Sequence, residues 1–182
     1  KVALMQADRH IELHAQFGTY YRFRIPRVGR DITYHAPSCE MLVCGSSNEV
    51  YRFNLEQGMF RKPIKTYSPD CEAINSIKIN PIHQLIGIGC DNGWVECIDP
   101  RSKATAGILN VCDYIRQSTG VKSCGNEVTC FEFDSNGVTF AAGTNMGQVG
   151  IFDLRKSGII HSRDHNYDLP IVSMGFHDLT KN

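Results

Sequence analysis

One pattern occurs three times in the chain: an apolar run ending in Gly, a turn of small polar residues, and an alternating run ending in Asp or Asn. The copies occupy residues 41–54, 85–99 and 140–153. Their second runs begin at Val50, Val95 and Val149, which are 45 and 54 residues apart (95 − 50 and 149 − 95). A repeat of about 40–45 residues containing four short strands is typical of a β-propeller blade. The sequence therefore predicts an all-β chain built as a propeller.

Short strand signals, separated by Gly, Pro, Asn and Asp, divide the chain into blades. The predicted units are a partial blade at 1–25, four-stranded blades at 31–65, 74–109 and 128–163, and the start of another blade at 171–182 with a strand at 171–176. Residues 110–125 lack clear periodicity and are expected to form a loop insertion. About sixteen strands result, fewer than the roughly 28 of a seven-bladed ring. We expect a partial propeller, cut from a longer protein.

Composition and motifs exclude several classes of function. The 42% hydrophobic and 21% charged residues are ordinary globular values, and the apolar runs are too short to span a membrane. The eight cysteines include no Cys-x-x-Cys pair, so we expect reduced core thiols of an intracellular protein and no metal site. The glycines at 87–93 precede a strand, whereas dinucleotide binding needs a following helix. No cofactor, membrane or small-molecule substrate is therefore expected.

Positive charge is concentrated in the first third of a chain whose net charge is zero. Residues 1–65 hold ten Lys or Arg and six Asp or Glu, a balance of +4, and the remainder holds nine and thirteen, a balance of −4. Alternation places Arg22 and Arg24 on one face of a strand and Tyr21, Phe23 and Ile25 on the other, with Arg27 and Arg30 in the loop that follows. Arg forks interleaved with aromatic rings suit RNA phosphates and unstacked bases. Two interpretations stay open: a solvated outer strand, or a surface for RNA or an acidic protein. The candidate surface comprises Arg22, Arg24, Arg27 and Arg30, extended by Arg61, Lys62 and Lys65.

A second group of polar residues is predicted to stabilise turns and blade edges. An Asp or Asn at the end of a strand can accept N–H bonds from the following turn, and an Arg two positions later can pair with it. These positions correspond to the Trp-Asp of WD repeats, without the Trp. The cluster at 164–168 is expected to hydrogen-bond within a blade, with catalysis as the alternative. The predicted structural residues are Asn54, Asp99, Arg101, Asp153, Arg155 and His165.

Several of these segments resemble the nucleolar protein 10 family, known in yeast as essential nuclear protein 2. The resemblance is most specific at 24–58, and it extends to 99–101, 147–155 and 164–171. It implies a WD-type propeller in a nucleolar ribosome-assembly factor of the small-subunit processome, the particle that matures 18S pre-rRNA. It further implies ribosome-assembly proteins as partners, pre-rRNA or small nucleolar RNA as additional ones, and no catalytic residues.

Three hypotheses about function follow. The first is a non-enzymatic scaffold for processome assembly. The second is a generic WD-repeat interaction adaptor without an RNA role, which degenerate repeats alone would equally allow. The third is a propeller hydrolase, which would need acidic or His side chains converging near the central channel; Asp31 and residues 164–168 are the candidates. Charge reversal across the Arg22–Arg30 segment would separate the first two.

Overall fold

The computed structural model describes residues 1–102, 104–120, 125–156 and 158–177. Within them the chain forms four antiparallel sheets, each a meander of consecutive strands. The strands are β1 (Val2–Met5), β2 (His10–Ala15) and β3 (Gly18–Arg24) in sheet 1; β4 (Gly29–His35), β5 (Glu40–Gly45), β6 (Ser47–Asn54) and β7 (Met59–Lys65) in sheet 2; β8 (Ile74–Ile79), β9 (Ile86–Cys90), β10 (Trp94–Asp99) and β11 (Ala104–Asn110) in sheet 3; and β12 (Val128–Phe133), β13 (Thr139–Thr144), β14 (Gln148–Asp153) and β15 (Ile159–Asp164) in sheet 4.

These strands confirm the all-β class, and each strand predicted before residue 164 is present with its ends shifted by at most a few residues. The strand positions were predicted reliably because the alternation of apolar residues and the turn residues indicate the same strand ends in every repeat. The sheets form no closed ring within the described residues. The assignment of these sheets to successive blades of one domain remains a prediction.

Two local expectations are wrong. Part of the predicted loop is the helix α1 (Val111–Thr119), capped by the Asn110 side chain, which accepts from the Asp113 N–H, and closed by Gly120 at φ +66°. Its two and a half turns are too short to show a helical period. Residues 171–177 form no strand, and the remainder of the predicted start of a blade, 178–182, lies outside the described residues.

The hydrophobic core is divided into three layers, each between two neighbouring sheets. Phe23 and Phe53 join sheets 1 and 2, Val50 and Ile88 join sheets 2 and 3, and a third cluster joins sheets 3 and 4 beneath α1. Each sheet therefore depends on its neighbours for burial, as in repeat architectures. The described part of the chain contains no helix long and apolar enough to cross a membrane.

Among the glycines at 87–93, Gly87 is required by the packing of two sheets and not by a nucleotide. A Cβ on Gly87 would come 2.4 Å from Cε1 of Phe131, whose ring lies on the inner strand of sheet 4. Glycine in β9 thus allows sheets 3 and 4 to approach closely.

The predicted core cysteines are buried: Cys44, Cys90, Cys97 and Cys130 all lie in strands that face these layers. Burial raises the pKa of the Cys97 thiol to about 12 and raises that of Cys44 further. Both thiols are therefore protonated near neutrality and behave as small hydrophobic side chains.

Candidate functional site

The predicted basic surface is divided among three parts of the fold. Arg22 lies on β3, the outer strand of sheet 1, where its guanidinium contacts Asp8 at 3.2 Å and Glu12 at 3.4 Å. Both carboxylates belong to the same sheet. Its charge is therefore locally compensated.

Arg24 and Arg27 are the exposed cations of this segment. Neither forms an ion pair within the described residues. As the alternation predicted, Phe23 and Ile25 point the other way and are buried, while Tyr21 on that same side keeps 40% of its surface exposed. Arg24 and Arg27 therefore carry guanidinium groups without an ion pair, while the partly exposed Tyr21 lies on the opposite face of β3 from Arg24.

Arg30 lies elsewhere. It was expected in a loop after β3, but it belongs to β4, the inner strand of sheet 2, and donates to Asn75 on the inner strand of sheet 3. Arg30 and Asn75 also line a cavity of about 240 Å³ on the side of the inner strands. Arg30 thus joins two sheets and is separate from the β3 cations.

The three cations on β7 also differ in whether a carboxylate compensates their charge. The Arg61 guanidinium contacts Glu40 at 3.3 Å, and the Lys65 ammonium contacts Glu49 at 3.5 Å. Lys62 is exposed and has no ion pair in the described part of the chain. Of the seven predicted residues, Arg24, Arg27, Arg30 and Lys62 have no ion pair within the described residues, and Arg30 among them donates to the neutral Asn75 on the inner strands.

An aromatic cluster lies between the two outer strands β3 and β7, and the sequence did not reveal it. The Phe23 and Phe53 rings stack at 3.9 Å between centroids, and Phe60 packs edge-on against Phe53 at 5.0 Å. Tyr21 and Phe60 remain 40% and 39% exposed. The cluster joins sheets that are distant in sequence, so only their packing shows it.

A buried ion pair in sheet 2 was likewise missed. Glu40 on β5 accepts from Arg52 on β6, with Oε2 2.8 Å from Nε and Oε1 3.0 Å from Nη2. Both side chains are almost fully buried. A charged residue within an otherwise apolar strand was the available signal, because such residues are rarely buried without a partner.

The predicted turn residues largely act as expected. Asp153 accepts from the Arg155 backbone N–H at 2.8 Å and from its guanidinium at 3.1 and 3.0 Å. Asp99 accepts from the Arg101 N–H at 2.9 Å, but the Arg101 guanidinium makes no ion pair within the described residues. Asn54 accepts from the Gln57 N–H at 2.8 Å. Of these three turns, only the one in sheet 4 is therefore closed by an Asp–Arg ion pair.

The Asp153–Arg155 pair predicts a dependence of stability on pH. Hydrogen bonds from the Arg155 side chain and backbone lower the pKa of Asp153 to about 2. A lowered folded-state pKa stabilises the fold above the unfolded value and loses that contribution as pH falls through the folded value. The difference in melting temperature between wild type and Asp153→Asn should be constant above about pH 5 and shrink between about pH 4 and pH 2. A difference unchanged at pH 2 would contradict this; Arg155→Gln is the control and should weaken the dependence.

His165 forms its hydrogen bonds within a turn. Its Nδ1 accepts from the Tyr167 N–H at 3.0 Å, and its Nε2 donates to the Leu169 carbonyl at 2.8 Å. Its ring lies against Gly147 (φ +81°), where a Cβ would come within 2.1 Å of Nε2. Backbone and Gln148 hydrogen bonds lower the pKa of Asp164. The polar groups of 164–168 thus fix a turn after β15.

Asp31 connects sheets 2 and 3. It accepts from the Ser76 hydroxyl at 3.2 Å and the Ile77 N–H at 3.0 Å, while the Lys78 ammonium lies 3.9 Å from Asp31 and 3.7 Å from Glu132. Burial raises the pKa of Glu132, opposed by Lys78. Charged groups on the three inner strands therefore compensate one another. The described residues contain no cluster of three side chains suited to a metal ion.

Four meandering sheets with cores between neighbours and a polar inner edge define a β-propeller domain of the kind that presents surfaces to partners. The model of the family described as "Nucleolar protein 10-like, N-terminal domain", a β-propeller, matches residues 1–182. The chain belongs to this family, as the sequence resemblance indicated.

Similar proteins extend the comparison. The chain is 42% identical to nucleolar protein 10 of Xenopus tropicalis over 97% of its length, and 41% identical to nucleolar protein 10 of Homo sapiens over 98%. It is 38% identical over 96% of its length to the ribosome biogenesis protein enp2 homolog of Schizosaccharomyces pombe. It spans about a quarter of the length of these relatives (25%, 25% and 28%). The names of these relatives refer to the nucleolus and to ribosome biogenesis.

Proposed function

We propose that this chain is the β-propeller part of a non-catalytic scaffold that assembles the small-subunit processome and supports the processing of pre-rRNA to 18S rRNA. Its family membership carries the proposal, because relatives that match nearly the whole chain are named as nucleolar and ribosome biogenesis proteins. Ribosome-assembly proteins are the expected partners, and pre-rRNA or small nucleolar RNA the further ones.

The state of the charged side chains supports a binding role over a catalytic one. Asp31 is held by a hydroxyl, a backbone N–H and Lys78, and the Asp164 and His165 side chains form hydrogen bonds within sheet 4 and the turn that follows it. A general acid or base needs a side chain positioned to exchange a proton with a substrate. These groups instead stabilise the fold.

For RNA, Arg24 and Arg27 form the proposed contact, with Lys62 on the neighbouring outer strand as a further cation. Their charges have no carboxylate partner within the described part of the chain, and the outer strands β3 and β7 also carry the partly exposed rings Tyr21 and Phe60. Uncompensated cations bind phosphates, and exposed rings stack on unpaired bases.

Charge reversal tests this assignment. In the full-length protein, Arg24→Glu combined with Arg27→Glu should reduce the amount of ultraviolet-crosslinked RNA about tenfold, because two phosphate contacts become repulsive. The proteins that co-purify with it should be retained. The matched control is Arg163→Glu, an exposed outer-strand Arg of sheet 4, which should change neither. RNA recovery equal to wild type would reject Arg24 and Arg27 as the RNA contact, whereas a wild-type protein that crosslinks no RNA would favour an adaptor without an RNA role.

A further inference from the structure

A second polar site lies in a cleft between sheets 2 and 3, away from the β3 cations. The cleft has a volume of about 210 Å³ and is formed where β4 ends, where β8 connects to β9 and where β10 connects to β11. In antiparallel meanders these connections lie at the same end of neighbouring sheets. Its lining includes His35, Pro37, Ser38, Arg52, Pro100 and Arg101.

His35 brings an unused hydrogen-bonding atom to the cleft. The residue is 5% exposed, and its Nδ1 lies 2.7 Å from the Ser38 hydroxyl. Its Nε2 is buried without a partner among the described residues. Burial lowers the pKa of His35, so the ring is neutral near pH 7. In the tautomer in which the Ser38 hydroxyl donates to Nδ1, Nε2 carries the proton and is a donor left without an acceptor among the described residues.

One guanidinium group at the cleft has no ion pair. Arg52, which also lines the cleft, is paired with Glu40. The backbone N–H of Arg101 donates to Asp99, but the Arg101 guanidinium has no ion pair within the described part of the chain. A single carboxylate placed in the cleft could therefore pair with Arg101.

We propose that this cleft binds a single carboxylate, supplied by an Asp or Glu side chain of a protein partner. A carboxylate brings one negative charge and acceptor oxygens that match a guanidinium fork and an imidazole N–H. The rings of Pro37 and Pro100 line the cleft beside these groups. No Phe, Tyr or Trp lines the cleft within the described part of the chain, and His35 is 5% exposed, so the cleft offers little ring surface on which a base could stack.

The proposal gives the scaffold role a partner chemistry, and in that sense it rests on the proposed function. The test of the cleft uses the purified full-length protein. The carboxylate proposal can therefore fail while the protein still associates with pre-ribosomal particles, and the scaffold proposal can fail while the cleft still binds a carboxylate. Phenylglyoxal labels accessible guanidinium groups, and peptide mapping by mass spectrometry reports the rate at each Arg.

The probe is the capped peptide acetyl-Gly-Glu-Gly-amide, with acetyl-Gly-Gln-Gly-amide as its matched control. Labelling of Arg101 should slow about threefold, saturably, with the Glu peptide and remain unchanged with the Gln peptide, because a charged acceptor binds guanidinium more tightly than a neutral one. Arg155, at the equivalent turn of sheet 4 but already paired with Asp153, should show no such protection.

A variant and two competing ligands complete the test. His35→Phe should abolish most of the Glu-peptide protection at Arg101, provided its melting temperature shows a folded domain; if it does not fold, the wild-type comparison decides. Equal protection by the two peptides, or none, would overturn the proposal. Protection by inorganic phosphate alone would replace the carboxylate with a phosphate group, and protection by a single-stranded oligouridylate alone would assign the cleft to RNA; both outcomes contradict the proposal.

Discussion

Arg52→Met is expected to destabilise sheet 2 by about 3 kcal/mol, because it leaves the Glu40 carboxylate buried without its main partner. Arg52 provides two short hydrogen bonds to Glu40, whereas Arg61 contacts one of its oxygens at 3.3 Å from a half-exposed position. The remaining partner therefore compensates little of the lost stabilisation. Hydrogen exchange of the β5 and β6 amides in the full-length protein measures the local free energy of opening.

Two variants control this experiment. Glu40→Leu combined with Arg52→Met removes both charges, so it should recover most of the loss. Arg155→Met removes an exposed ion pair and should cost less than about 1 kcal/mol. If Arg52→Met itself costs less than about 1 kcal/mol, Glu40 does not depend on Arg52.

Phe131→Ala is expected to cost about 3–5 kcal/mol, because it opens a cavity in the core layer between sheets 3 and 4. The ring is 1% exposed, lies over Gly87, and packs against Phe133 and Phe140 at centroid distances of 4.7 and 5.3 Å. Since each sheet buries its core side chains against the next, amides on both β9 and β12 should exchange faster.

The matched controls differ in burial and in the volume removed. Phe17 is 82% exposed, so Phe17→Ala should change the free energy by less than about 0.5 kcal/mol. Phe131→Leu keeps most of the volume and should cost less than about 1.5 kcal/mol. A Phe131→Ala variant as stable as the Phe17→Ala variant would show that sheets 3 and 4 do not depend on this contact.

The strands were predictable because alternation and turn chemistry are local properties. The Asp or Asn after a strand, and the Gly that precedes the next one, recur at fixed positions in each repeat, as at Asp99 and Asp153. The helix α1 was missed since its buried residues, Val111, Cys112 and Ile115, cover too few turns to establish a 3.6-residue period.

The interaction surface was predictable in part. Alternation placed Phe23 and Ile25 in the core and Arg24 outside, as found. It could not show that Glu12 and Asp8 compensate Arg22, because that pairing depends on the register of β2 with β3 and on the preceding turn. Arg30 was assigned to the wrong region since the start of β4 was placed two residues late.

The cleft of His35 and Arg101 lay beyond sequence reasoning altogether. The two residues are 66 positions apart (101 − 35) and meet only because sheets 2 and 3 pack side by side. Arg101 was expected to pair with Asp99, and its unpaired guanidinium became apparent only from the side-chain contacts. Sites formed between blades depend on packing, which a local pattern does not encode.

The most direct test of the scaffold role is to tag the full-length protein, separate the extract on a sucrose gradient, and identify the RNA and proteins that co-purify from each fraction. Sedimentation with large pre-ribosomal particles, together with enrichment of 18S precursors, small nucleolar RNA and ribosome-assembly proteins, is the predicted result. A protein found only in light fractions, in a compact complex without RNA, would contradict the account and leave a propeller adaptor of another pathway.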